Sequence, residues 1–476
     1  MEPKDFKVII IGGSVAGLTL ALSLSKIGID YIVLEKRAHV APQEGASIGI
    51  LPHGGRILDQ LGLFGTVEES IEPLHTAHIH FPDGFEHTNA SPSLLDDRFG
   101  LPLAFLERQK MLQILFDAQP HKSKILCGKK VKKIDDFEES MTVYTEDGST
   151  YTGDLVVGAD GVHSRARTEM WQIAEKMQPG IISNAEKSSL TVQYTCVFGI
   201  STAVPGLVPG EQVASFNEKR SFLTFPGKNG RTFWFLIKRL GQEHAYSSAP
   251  RFSSKDTETI CHQFLEDIIY GDVRFNDLWS RKEVCSVTAL EEGTFRRWSY
   301  RRIVCVGDSM HKMAPNTGQG ANCAIEDVAA LANMLHTCVV TTKRHCKPTT
   351  KELSNLLEGY TKTRLDRIEK VYKASRLVVR LQARDTLFLR IMGRYYIPHS
   401  GDVPADVASK MIAGAVALDF LPLPSRCGPG WSSFKTKERR SIRWIEAAAI
   451  PLVLIVSIWL WQVLVRDEYL NEGKKS

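Results

Sequence analysis

Gly12, Gly13, Ser14 and Gly17 follow a run of β-branched residues, Val8-Ile9-Ile10-Ile11, and Glu35 closes a second apolar run, Tyr31-Ile32-Val33-Leu34. Glycines at such a turn let backbone approach a pyrophosphate. A carboxylate about 20 residues further on can accept hydrogen bonds from ribose hydroxyls. Asp308 ends a third apolar run, Ile303-Val304-Cys305-Val306, where it can accept from a polyol chain. Asp160-Gly161 follows a fourth, Leu155-Val156-Val157, and is by itself a common turn pair. This is chemistry of holding a dinucleotide, not of attacking a substrate. No Ser/His/Asp set, carboxylate pair or zinc-type Cys/His spacing stands out. His53, His163 and His311 lie near the turns, but a lone histidine is more often a hydrogen-bonded structural group, and no catalytic side chain is assigned.

These residues need rigid elements to place them. Val8–Ile11 has no polar alternation, as expected of a parallel strand buried on both faces. After the glycines, Ala16, Leu18, Leu20, Ala21, Leu22 and Leu24 follow in a helix-compatible stretch closed near Gly28. The whole is a βαβ unit with the dinucleotide fingerprint, in which Ser14 replaces the second glycine. Serine is small, and its hydroxyl can bond a phosphate oxygen. Gly12 serves the tight turn and Gly17 the close packing of helix on strand. The helix N-terminus offers free N–H groups to a pyrophosphate. Glu35 disfavours a 2′-phosphate, so this unit should hold FAD or NAD rather than NADP. Around Asp308 a strand, a Pro/Gly-rich loop from Ala314 to Gly320 and a long helix from about Ala321 repeat the same logic.

Composition sets the outer limits. The chain has 476 residues, 43% hydrophobic and 24% charged, the proportions of a globular protein. A net charge of +5 without a basic, aromatic-interleaved block makes nucleic acid an unexpected partner. Nine scattered cysteines, none in C-x-x-C spacing, suggest a reducing compartment.

Three stretches in this order, GGSVAG with its distal Glu35, GADGVHSRAR and GDSMHKMAPNTGQGAN, resemble the single-component flavin-dependent aromatic hydroxylase and epoxidase family over roughly residues 6 to 340. EKRAHVAPQEGASIGILPHGGRILDQLGL and RFGLPLAFLERQKMLQIL resemble the PaxM-like fungal epoxidases of indole-diterpene and meroterpenoid pathways. The resemblance implies one FAD, with NAD(P)H and O2 as co-substrates and no second nucleotide fold. It implies that Glu35 holds the adenosine ribose and that Gly49 lets backbone approach the flavin. It further implies that Arg108 meets the pyrophosphate or adenine side, Asp308 the ribityl or pyrophosphate region and Ala321 the flavin ring, while Asp160-Gly161 adds cofactor contacts. The expected reaction is epoxidation of a double bond in a prenyl chain. Aromatic ring hydroxylation and prenyl-chain reduction are the alternatives on the same fold.

The expected fold is α/β. A Rossmann-like FAD-binding domain (6–75, 104–176 and 284–340) interleaves with a mixed or antiparallel substrate sheet (76–103 and 177–283), and a helical region follows (341–434). GKNGR at 227–231 reads as a hairpin turn. Tyr194 reads as a strand aromatic packing the core in preference to a group facing the flavin, and Arg165 and Arg167 as helix-start residues that cap or meet solvent. Residues 447–465, AAAIPLVLIVSIWLWQVLV, carry no charge over 19 positions and read as a transmembrane helix. The five Lys/Arg between 435 and 443 place the large N-terminal part in the cytosol. The expected location is therefore a membrane, that of the endoplasmic reticulum, held by this one C-terminal span. MIAGAVAL at 411–418 is too short to cross.

Overall fold

The computed structural model describes residues 6–43, 45, 47–341 and 346–432. The chain divides after Gly428 into two units, and of the second only a helical turn up to Ser432 is described. The expected span at 447–465 lies outside the described residues.

Lys7–Ile11 occupies the middle of a six-stranded sheet. Its neighbours are Asp30–Leu34 on one side and Leu155–Gly158 on the other, both parallel, and Ile303–Cys305 pairs parallel with the latter. Ile125–Leu126 and Ser299–Tyr300 form the edges. Val8, Ile9 and Ile10 are inaccessible to solvent, as their unbroken apolar sequence requires of a strand covered on both faces. Val15–Lys26 crosses over one face with every residue from Val15 to Leu24 buried. It packs against Gln319–Leu335, which is also mostly buried. Among the described residues, Gln319–Thr341 is the helix long and apolar enough to cross a membrane, yet 67% of its most apolar window is buried inside the protein. It is a core helix.

An eight-stranded, largely antiparallel sheet forms the second layer. Its long central strands, Thr191–Ser201, Thr232–Ala245 and Lys282–Thr294, pair over their whole lengths. Thr76–His80 and Glu86–Asn89 complete one end, and Thr76–His80 joins Glu211–Asn217 in parallel. Arg220–Pro226 and Thr232–Ala245 form the expected hairpin, with Asn229 in the left-handed region at φ 56°. A second turn, at Glu218-Lys219, splits what reads in sequence as one strand into two. The expected boundary at 284 falls inside Lys282–Thr294. This strand is half-exposed and polar along its first part, so it does not look like part of a sheet core, and its register with Thr191–Ser201 decides its place.

Beyond the sheets, Thr350–Gln382 is a single helix of 33 residues. It is started by a capping box in which Thr349 and Glu352 exchange side-chain and backbone hydrogen bonds. Its buried positions, among them Leu353, Leu357, Tyr360, Arg364, Ile368 and Val371, recur at helical spacing and lay it across both layers.

Candidate active site

The three motif strands are adjacent, and their register sets the site. Ile11 pairs with Gly158, and Gly158 with Cys305. The turns that follow, Gly12–Ser14, Ala159–Gly161 and Val306–Asp308, therefore lie side by side at the carboxyl ends of parallel strands, where open α/β sheets bind ligands. They line a cleft of about 920 Å³ that also takes in Glu35, Gly49, Arg108 and Ala321. Seven of the eight sequence-named residues meet there.

The eighth, Gly17, lies beneath. A Cβ on it would sit 1.9 Å from Gly12 O, so glycine is what allows the helix to approach the turn. Gly12 itself has φ +107°, and a Cβ on it would fall 2.4 Å from Ala159 O, which binds the first and second turns together.

Each polar group has a definite partner. Glu35 is buried; its Oε2 accepts the N–H of Gly13 at 2.7 Å and its Oε1 that of Arg37 at 2.8 Å. Oε1 also meets Arg37 Nη1 at 3.5 Å, which leaves one of the four lone-pair sites open to a ribose hydroxyl. Ser14 is the N-cap of Val15–Lys26, yet its side chain does not cap the helix; its Oγ accepts from Arg108 Nη2 at 2.9 Å. Gly318, at φ 63°, begins Gln319–Leu335 with no side-chain cap either. Two helix starts thus turn open N–H groups to one cleft.

Asp160 lines the cleft and is also tied to its own turn. Its carboxylate accepts from Ser164 Oγ at 2.6 Å and from the N–H groups of Arg165 at 2.7 Å and Ala166 at 3.1 Å. Burial raises its pKa, against the hydrogen bonds that hold it charged. It anchors the Arg165–Met177 helix and shapes the turn by that route. Asp308 pairs with Lys312. Burial works against the Lys312 charge, but Asp308 beside it lifts the ammonium above its ordinary pKa.

Several contributors are not legible as site residues in the sequence. Asn322 donates from Nδ2 to Gly49 O at 2.8 Å and accepts Leu51 N–H at 3.0 Å, clamping the Ser47–Ile50 strand to the core helix. Asp327 accepts Gly307 N–H at 2.9 Å, pairs with His311 Nε2 at 2.6 Å and accepts from Arg364 Nε at 2.7 Å. Arg364 also meets Glu326, all of these side chains being buried. Arg167 does not meet solvent: it donates to Ser309 O at 2.6 Å and Val162 O at 2.9 Å, joining the second turn to the third. The one available signal is position, since Asn322 closes GQGAN and Asp327 follows it within one helix. Tyr194 is a buried core residue, its hydroxyl donating to Asp385, and burial with that bond raises its pKa.

Facing the cleft is one side of the second sheet. Phe225 stacks on Phe105 at 3.8 Å between centroids and meets Phe235 edge-on at 6.1 Å. Phe105 and Phe235 line the cleft as well. Phe198 and Leu223 extend this face, while Val379 and Ala383 pack onto it. The site fits a flavin dinucleotide: three turns with glycine-only approaches, a ribose acceptor, two open helix starts and several Lys/Arg side chains rimming the cleft.

The FAD-binding domain family matches residues 5–375. The chain belongs to this family. It is 87% identical over 464 residues to the FAD-dependent monooxygenase olcE of Penicillium canescens, covering 98% of this chain and 100% of the relative. It is 56% identical over 471 residues to the FAD-dependent monooxygenase spyC of Aspergillus fumigatus, covering 98% of each. The protein is an FAD-dependent monooxygenase. Among solved structures, a variant of Klebsiella pneumoniae HpxO complexed with FAD matches 86% of this chain and 99% of its own at TM-score 0.71 and 21% identity. CtdE complexed with FAD and a substrate matches 80% of this chain and 90% of its own at TM-score 0.63 and 18% identity. Those likenesses are of fold.

Proposed function

We propose that this FAD-binding monooxygenase epoxidises a double bond in the prenyl chain of an indole-diterpene or meroterpenoid precursor, in fungal secondary metabolism. The observation that carries the reading is the aromatic wall of Phe105, Phe225 and Phe235, continuous with the cofactor cleft. It offers an alkene chain apolar contact and excludes water, and it brings no acid or base to the reacting carbon.

A bound flavin would supply the redox chemistry, hydride acceptance from NAD(P)H and activation of O2. The chain's own residues do the rest. Glu35 would hold the adenosine ribose, and the N–H groups after Ser14, with Arg108, the pyrophosphate. Asp308 would accept from the ribityl chain. Backbone at Gly49 and Ala321 would flank the ring. Arg108 and Ser14 orient one another. The Phe105–Phe225 stack sets the depth to which a substrate chain can enter. Held this way, the alkene reacts as a positioned partner rather than by collision.

The 19 uncharged residues at 447–465 support attachment to the endoplasmic reticulum membrane with the catalytic part cytosolic, which suits a substrate that partitions into lipid. Incubation of the purified protein with NADPH, O2 and a geranylgeranyl-indole or a farnesyl-polyketide tests the reading. An epoxide product supports it. A phenol, a saturated chain or no oxygenated product from either substrate overturns it.

A further inference from the structure

The segment Leu387–Tyr396 is apolar on the wrong side. It follows the long helix as a helical turn, Leu387–Ile391, continued by a wider π-helical turn, Met392–Tyr396. Leu389 and Gly393 face the protein; a Cβ on Gly393 would stand 3.5 Å from Leu381 and 3.9 Å from Phe216. The opposite side carries Leu387 (72% exposed), Phe388 (66%), Ile391 (52%) and Tyr395 (62%), with Tyr396 (62%) beside them. Spacings of one, four and eight gather the first four within roughly a third of a helix's circumference. The cations, meanwhile, are tied to acidic side chains on neighbouring segments. Arg390 pairs with Glu218 and Arg394 with Asp83 at 2.8 Å, the latter guanidinium lying 3.6 Å over the Phe85 ring. A soluble surface helix does the reverse, showing charge to water and burying its apolar stripe.

We propose that Leu387–Tyr396 docks into the boundary between headgroups and acyl chains of a phospholipid bilayer. Three observations favour a bilayer as the occupant. Leucine, isoleucine and phenylalanine with two adjacent tyrosines, flanked by arginines, have the composition of an interfacial element, apolar in its body and wet at its tips. The chain beyond the described residues contains the uncharged run 447–465, long enough to hold the enzyme at a membrane. Third, Val379 and Ala383, just upstream, pack on the aromatic face that adjoins the cleft, so docking here sets the substrate chamber against the lipid. The docking itself does not depend on which substrate the enzyme oxidises.

The test uses the full-length chain with Cys346→Ser and Cys427→Ser, which remove the exposed thiols. An environment-sensitive nitrobenzoxadiazole dye is attached at Ile391→Cys, and in a control at the exposed Lys255→Cys on the separate Ser254–His262 helix. Flavin content confirms that each variant is folded, and the unsubstituted background corrects for labelling elsewhere. Phosphatidylcholine vesicles with brominated acyl chains are then added. Docking requires the dye at 391 to shift to shorter wavelength and to be quenched severalfold by bromine, with the dye at 255 unaffected. A dye at 391 that stays water-exposed on vesicle-bound protein overturns the proposal. So does one that shifts without bromine quenching, because the cover is then protein, either the chain's own tail or a second copy.

Discussion

The carboxylate of Asp327 accepts the backbone N–H of Gly307 at 2.9 Å. This joins a fully buried set of ionisable side chains, His311, Asp327, Arg364 and Glu326, to the turn that presents Asp308 to the cleft. Gly307 needs its left-handed backbone there, at φ +63°. Arg364 comes from the long Thr350–Gln382 helix, so a segment far along the chain from the three turns helps to hold the third of them.

Removing one partner from such a set leaves a buried charge uncompensated, which costs about 3–5 kcal/mol. We expect Arg364→Met to lower thermal stability by that order and to strip flavin from the protein. Asp327→Asn keeps volume and most hydrogen bonds, so it should fold while binding FAD more weakly. Calorimetry with the flavin absorbance of the purified variants checks both.

Glu35 is a buried acceptor with one lone-pair site to spare. Glu35→Gln loses charge-assisted hydrogen bonds worth about 1.5–3 kcal/mol each. FAD affinity should fall roughly 10- to 100-fold, and the apoprotein's melting temperature should fall as well, because the amide Nε2 cannot accept both backbone N–H bonds that the carboxylate takes from Gly13 and Arg37. Fluorescence titration with FAD measures it.

His53 carries a pH dependence of stability. Burial lowers its pKa from 6.5 to about 3, so it is neutral in the folded state across neutral pH. The unfolded chain binds the proton first as pH falls. Stability is therefore fully present above about pH 6.5 and is lost on acidification toward pH 3, by up to about 1.4 kcal/mol per pH unit. Burial opposes the charges of Asp327 and Glu326, but His311 and Arg364 hold Asp327, and Arg364 and Arg367 hold Glu326, below their ordinary pKa values. Their share of stability is lost below the carboxylate range. Denaturant midpoints between pH 4 and 7 for the native chain and His53→Leu should diverge, the variant having the shallower slope.

How much of this could be read in advance differs residue by residue. The Gly12–Glu35 unit was legible because strand, turn and helix are local, and their residue types are dictated by φ and by packing distance. That three such turns belong together was legible only from their order along the chain, since their adjacency rests on the Ile11–Gly158–Cys305 register. Arg108 could be named only through resemblance; its partner Ser14 lies far back in sequence. Asn322, Asp327 and Arg364 look like ordinary helix polar residues, and nothing local says that they are buried. Arg167 misleads for the same reason. Lys282–Thr294 is too polar in its first half to announce a sheet strand, and the inverted face of Leu387–Tyr396 shows only once burial is known.

Phe235→Ala should leave flavin content unchanged while removing part of the apolar wall. A lost aromatic contact of about 1.5–3 kcal/mol lowers kcat/KM for a prenylated substrate roughly 10- to 100-fold. NADPH oxidation should continue with less of it coupled to product. Parallel assays of NADPH consumption and product formation separate the two effects.

Monooxygenation by an enzyme whose three adjacent turns would hold a single FAD places one atom of O2 in the product. The direct measurement is mass spectrometry of the product formed by the purified protein with NADPH under 18O2. The account requires one heavy oxygen in the product and none when the label is supplied as water. A product that takes its oxygen from water, or turnover that proceeds equally well without O2, would contradict it.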